Sequence, residues 1–324
     1  MIVKSSFEPP WWLSNSHVQT IYPVLFNNRL AEIDYFERME LPDGDFIDLA
    51  WAIHGLNNDS PLVVLLHGLG GNIHSSYVAG LLKSFNKAGY RALLMHFRGA
   101  SGEPNRLPRV YHSGETGDLD YLLHNLQQRE PNTRKAVVGI SLGGNVLLKW
   151  LGEIGNQSLI DTAVAVSVPF QLDLVVECMN KGFARIYQTY LLRGFRSVFC
   201  KKLPLINTTM PLTKEELFSL KTLFDFDERI TAPLHGFKNA QAYYKESSSR
   251  QYLSSIRTPT LILHALDDPF MNAKAVPDSS ELSSYTTLEL SKQGGHVGFI
   301  TGNHPKKLTS WLNQRIPNFL ANYL

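Results

Sequence analysis

The segment Ala136-Val137-Val138-Gly139-Ile140-Ser141-Leu142-Gly143-Gly144-Asn145 leaves its backbone few choices. An apolar run of strand character stops at a serine set between glycines and then turns amphipathic, which reads as strand, sharp turn and helix. In a Gly-x-Ser-x-Gly turn the serine backbone is strained. The residues two positions either side must therefore lack side chains that would collide with strand and helix, and Gly139 and Gly143 meet that need. The Ser141 hydroxyl would then stand exposed at the carboxyl end of a sheet.

The rest of the chain supplies strands for that sheet. Residues 35–41 and 46–53 alternate like strands around Pro42-Asp43-Gly44-Asp45, predicting an antiparallel hairpin. Residues 62–66 form a continuous apolar run, as expected of a strand buried on both faces, and end in His67-Gly68-Leu69-Gly70-Gly71. Helical periodicity over 77–88 closes on Gly89, and 91–96 is the next strand, so strand, helix and strand imply parallel pairing. Residues 97–115 read as a long loop over the active face, 116–128 as a helix, and 142–154 as the helix after Ser141. Residues 162–168 form another buried strand, 260–265 resume the sheet, 286–290 supply its last strand and 305–319 a closing helix. The fold class is α/β, a mostly parallel doubly wound sheet with a helical insertion.

That insertion is residues 169–257, where helical stretches appear and no strand does. It is expected to cap a core made of residues 1–168 and 258–324. Thr213 to Glu216 forms a capping-box pattern, and Arg185, Arg193 and Arg196 share a helix face that reads as solvated. At 324 residues and 44% hydrophobic composition the chain can bury a large core as one domain with an insertion. A net charge of +2, with no dense run of Lys and Arg interleaved with aromatics, argues against a nucleic-acid partner. The two cysteines, Cys178 and Cys200, have neither CxxC nor zinc-ligand spacing, which favours a reduced, cytoplasmic setting. The amino-terminal residues lack a basic segment followed by an apolar one, and no stretch reaches the length of a transmembrane helix. Trp11 and Trp12 are read as plugging a core edge, with peripheral lipid contact as the alternative.

A serine hydroxyl is a poor nucleophile until a histidine takes its proton, and that imidazole needs a carboxylate to fix its tautomer. Both follow Ser141. Leu266-Asp267-Asp268-Pro269-Phe270 comes after one predicted strand and Gly294-Gly295-His296-Val297-Gly298-Phe299 after the last, in the order serine, acid, histidine. Two backbone N–H groups are placed to hold an oxyanion: that of Leu142, after the serine, and that of Leu69, in the glycine-rich loop. His67, at a strand end, suits a structural hydrogen bond to that loop. The remaining histidines lack metal spacing, H-E-x-x-H is absent, and neither metal nor cofactor is expected.

The chain resembles the YheT branch of the α/β-hydrolases, the group that also holds the mammalian abhydrolase-domain lipases and yeast ethyl-ester enzymes. The resemblance covers nearly the whole chain. It is carried by Asn15-Ser16-His17-Val18-Gln19-Thr20, Leu41-Pro42-Asp43-Gly44-Asp45, His96-Phe97-Arg98-Gly99, Ser101-Gly102-Glu103-Pro104-Asn105-Arg106 and Tyr111-His112-Ser113-Gly114-Glu115-Thr116. It continues through Gly139 to Asn145, His264 to Met271 and Gly295 to Phe299. It implies that the charge-relay residues are Ser141, Asp268 and His296. In that fold the acid commonly stands three residues beyond the small residue ending its strand, here Ala265. Asp267 is then expected to face solvent or cap its turn. The resemblance further implies a serine esterase acting on short to medium acyl esters or lipids, without a cofactor. Two alternatives stand beside it: transfer of the acyl group to an alcohol, and a non-catalytic ligand-binding protein on the same fold. The His-x-x-x-x-Asp signature of some lipid acyltransferases is absent, since the fifth residue after His296 is Thr301.

Overall fold

The computed structural model describes residues 1–26 and 30–324, the side chain of Lys306 excepted. Among the described residues nine strands form one sheet: β1 (Ile2–Lys4), β2 (Tyr35–Glu40), β3 (Phe46–Ala52), β4 (Leu62–Leu66), β5 (Arg91–His96), β6 (Lys135–Ile140), β7 (Thr162–Val166), β8 (Thr260–Ala265) and β9 (Thr286–Ser291). Their spatial order is β1-β9-β8-β7-β6-β4-β5-β3-β2. Only β2 with β3 and β3 with β5 are antiparallel; every other pairing is parallel. Every residue of β4 to β8 is buried, which explains why their central residues are apolar without alternation: a strand covered by helices on both faces has no solvent side to mark.

The helices that matter for the site are α1 (Ser16–Phe26), α2 (Val78–Lys87), α3 (Gly117–Arg129), α4 (Leu142–Ile154), α5 (Leu172–Met179) and α6 (Ala184–Ile206). Strand alternation divides the core. Leu62, Val64 and Leu66 pack with α3 and α4, while Val63 and Leu65 pack with α2 and the final helix Leu312–Leu320. Between β7 and β8 come α5, α6 and several shorter helices, and their apolar faces form a third cluster around Phe199, Phe226 and Tyr243. No helix among the described residues is long and apolar enough to cross a membrane.

Three expectations need correction, and one strand lies outside them all. The edge strand β1, only three residues long, is missed by any periodicity argument, yet it pairs with β9 through Ile2, Val3 and Lys4. Residues 305–319 are not one helix: Thr309–Ser310 pair antiparallel with Ile300–Thr301, and the helix starts at Leu312. Trp11 does not plug a core edge, because it is 84% exposed, and Leu13 is the buried residue of that turn. Thr213 does accept from the N–H of Glu216, but the Glu216 carboxylate is drawn to Arg229 Nε at 2.5 Å, so the reciprocal half of the box is not made.

Arg98, 4% exposed, ties the loop at 97–115 to the scaffold. Its guanidinium meets Asp118 of α3 in two parallel bonds of 2.7 and 2.6 Å, Asp43 at 2.6 Å and Asp45 at 3.0 Å. Asp45 is fully buried and Asp118 nearly so. Removing the cation would strip Asp118 of its side-chain partner and leave Asp45, which still accepts from Asn105 Nδ2 and from the N–H groups of Phe46 and Arg106, without its ion-pair partner. Arg98→Met is therefore expected to lower stability by about 3–5 kcal/mol, seen as a lower urea midpoint at unchanged m-value. A loss below about 1 kcal/mol, the scale of a surface pair, would show that the cluster contributes little.

Candidate active site

β6 delivers Ser141 into the turn, where the serine takes φ +53° and ψ −117°. Such a conformation costs a side-chain-bearing residue about 1–3 kcal/mol and persists only where the surroundings enforce it. The enforcement is close packing. A Cβ on Gly139 would lie 2.5 Å from the carbonyl oxygen of Gly143, and one on Gly143 would lie 2.7 Å from those of Leu66 and His67. The Ser141 N–H is held by Val166 O of β7 at 2.8 Å.

The loops after β6, β8 and β9 meet because those strands are parallel and near one another in the sheet. Ser141 Oγ lies 3.0 Å from His296 Nε2, and His296 Nδ1 lies 2.8 Å from Asp268 Oδ2. A carboxylate only accepts, so Nδ1 carries the proton and Nε2 presents a lone pair to the serine. Asp268 is buried, and its other oxygen accepts from the N–H of Phe270 at 2.9 Å. Phe270 also stacks on the imidazole, with centroids 3.9 Å apart and planes 10° from parallel.

Asp267 neither faces solvent nor caps its own turn. Half-buried, it reaches across to the histidine loop and accepts from the N–H of Gly295 at 2.9 Å. Burial raises its carboxyl above the ordinary range. The two adjacent acids thus divide the histidine loop between them, Asp268 taking the ring and Asp267 the backbone beside it. From the other side α1 holds the same loop. The His296 N–H donates to Thr20 Oγ1 at 2.9 Å, and the Ile300 N–H donates to Gln19 Oε1 at 2.7 Å. This gives the segment Asn15 to Thr20 a structural purpose that its residue types alone do not declare.

At the glycine-rich loop, His67 donates from Nδ1 to Gly68 O at 2.8 Å and accepts at Nε2 from the N–H of Phe97 at 3.2 Å. It needs one proton and one lone pair, so it is neutral, and burial pushes its pKa down to about 3. This is the structural hydrogen bond expected of it. Tyr77 and Tyr111, whose sequence positions declare no role at the site, accept from the N–H groups of Gly68 and Gly70, each at 2.8 Å. The N–H between them, on Leu69, has no acceptor among the described residues, and neither has that of Leu142. Two donors stay free beside Ser141 while their neighbours are occupied.

Ser141, His296 and both donor residues open on a cavity of about 700 Å³. Its walls are mainly apolar, with Leu172, Val175, Met179, Phe195, Phe199 and Phe226 contributed by the helical segment between β7 and β8. Tyr187 of α6 approaches the side of His296 and Asp268, its ring 5.0 Å from that of Phe270 and its hydroxyl 2.9 Å from His17 Nδ1. Cys178 and Cys200 are free thiols. Among the described residues no group of three His, Cys, Asp or Glu side chains is arranged to hold a metal ion.

Comparison with known proteins agrees with this architecture. The family described as the alpha/beta hydrolase fold matches residues 61–303. The YheT protein of Escherichia coli is 43% identical over 323 residues, covering 99% of this chain and 94% of its own. The monoacylglycerol lipase of Saccharomyces cerevisiae is 30% identical over 316 residues, covering 95% of this chain and 67% of its own. Among solved structures, the Pyrococcus furiosus esterase Pf2001 superposes with a TM-score of 0.60 over 99% of this chain and 98% of its own; at 19% identity that likeness speaks for the fold. With the family match spanning most of its length and a close relative spanning nearly all of it, the chain belongs to the α/β-hydrolase family, as a hydrolase of the esterase and lipase kind.

Proposed function

We propose that the chain hydrolyses carboxylic esters, of short to medium acyl chains or of lipids, through an acyl-enzyme on Ser141. The observation that carries this is the unbroken relay of 3.0 and 2.8 Å from Ser141 Oγ through His296 to Asp268, beside two free N–H donors. His296 takes the serine proton at Nε2 as Oγ attacks the ester carbonyl, and Asp268 stabilises the imidazolium that forms. The oxyanion is held by Leu69 and Leu142, whose N–H groups need no reorganisation when charge develops. His296 then returns its proton to the leaving alcohol, and water, deprotonated by the same imidazole, releases the acid.

Residues 169–257 act in this reading as a cap within one domain, and 1–168 with 258–324 as the core. The apolar side chains that the cap gives to the cavity would contact the acyl chain, so it sets acyl preference. A panel of nitrophenyl esters of graded acyl length, run beside labelling with a serine-directed phosphonate, tests the whole reading. The expected result is turnover with a length optimum and one covalent adduct, mapped to Ser141. An adduct elsewhere, or none in a folded protein that cleaves no ester, would remove the assignment.

The donor loop has its own test. Gly70 sits at φ +66°, so Gly70→Val must shift the loop that carries the Leu69 N–H. Because that donor acts on charge present only in the transition state, kcat should fall about 10²- to 10³-fold with KM little changed. A raised KM with kcat intact would place the loop in substrate binding instead.

A further inference from the structure

The wall of the cavity carries one acid that the relay does not use. Asp227 and Thr231, with Tyr243 and Tyr244, line the same cavity as Ser141 and His296. The Tyr244 hydroxyl donates to Asp227 Oδ2 at 2.9 Å. Asp227 opens a single π-helical turn, Asp227–Thr231, between the short helices Leu223–Phe226 and Ala232–Leu234. Such a turn breaks the ordinary helical register and is frequent at functional sites. Its neighbours Phe226 and Ile230 are buried and apolar.

This placement has a cost that something must offset. Burial pushes the Asp227 carboxyl up to about 6, and only hydroxyl groups act against that push; among the described residues no cation pairs with it. Asp227 is nevertheless partly exposed, and it lines the cavity. Water can solvate it there while the cavity is empty. A ligand that drives the water out must replace those hydrogen bonds, because a buried acceptor left unpaired forfeits its solvation. An unbranched alkyl chain cannot do so. A carboxylate has about four lone-pair sites, and Tyr244 occupies one.

We propose that Asp227, held by Tyr244, is a recognition site for a hydrogen-bond donor, a hydroxyl or an ammonium group, carried by the acyl chain that fills the cavity. The preferred ester is then one whose acyl part is functionalised away from the carbonyl, and plain fatty esters are discriminated against. Sites built to bond a substrate donor reject the analogue lacking it far more strongly than apolar pockets reject an extra methylene. This rests on the ester reading above for the occupant of the cavity.

The test uses matched series of nitrophenyl esters, alkanoyl, ω-hydroxyalkanoyl and ω-ammonioalkanoyl, over a ladder of chain lengths. At the length that reaches Asp227, kcat/KM of a donor-bearing ester should exceed that of its alkyl match by roughly 10- to 100-fold. Asp227→Leu should reverse that order, while Asp227→Asn, which keeps volume and an acceptor, should retain a hydroxyl preference and lose an ammonium preference; this separates the two donors. An alkyl ester that equals or beats both donor esters at every length in the wild-type chain overturns the site. So does a donor preference that survives in Asp227→Leu. Phosphonate labelling of Ser141 in the same samples separates this failure from that of the ester reading: a labelled, ester-cleaving chain without donor preference loses only the Asp227 site, and an unlabelled chain that cleaves no ester loses both.

Discussion

Ser141→Ala is expected to lower kcat by about 10⁶-fold, the loss met when a serine nucleophile is removed from a unit that works only as a whole. The change leaves the scaffold alone. Alanine meets the same φ of +53° that serine does, and the glycines that enforce it remain. The one hydrogen bond removed, Oγ to His296 Nε2, opens on the cavity, where water can take its place. Stability should move by no more than about 1 kcal/mol, and phosphonate labelling should vanish. Residual turnover above a percent of wild type, with unchanged melting, would take the nucleophile away from Ser141.

Asp268→Asn is expected to cost about 10⁴-fold in kcat, and the geometry shows how. Asp268 Oδ1 accepts from the Phe270 N–H, so an asparagine there keeps its carbonyl oxygen on that bond and turns its amide nitrogen toward His296. An amide nitrogen donates, hence Nδ1 must accept and the ring proton moves to Nε2. The imidazole then has no lone pair for the serine proton. Asp267→Asn behaves differently, because its carbonyl oxygen can keep the Gly295 N–H, and the loss should stay within about tenfold. Parallel kcat measurements with thermal melts decide between the two acids. A severe loss at Asp267 beside near-normal rates at Asp268 would reverse their roles.

The elements most legible in the sequence are those with the strongest local physics. β4 is apolar throughout, and β5 to β8 through their central residues, because helices cover both faces, and the Pro42 to Asp45 turn fixes the β2–β3 register through its backbone angles. His67 is legible too, since a histidine at a strand end next to glycines has carbonyls and N–H groups at hand. Elements that depend on a distant partner are not. β1 exists as a strand because β9 offers it an edge, and Thr309–Ser310 is extended because Ile300–Thr301 lies beside it. Glu216 is diverted from its capping box by Arg229.

The sequence by itself determined the α/β class, the strand-turn-helix at Ser141 and the order serine, acid, histidine along the chain, because each rests on backbone preferences and periodicity within a few residues. The tertiary structure decided which side chains meet. His296 reaches Ser141 across 155 positions and Asp268 across 28 only through the parallel packing of β6, β7, β8 and β9. The same packing turned Asp267 to the histidine loop, set Tyr77 and Tyr111 on either side of the Leu69 N–H, and brought Asp227 to the cavity wall. Local pattern fixes where each backbone segment points, whereas a hydrogen bond between distant residues depends on sheet order and packing summed over the whole chain.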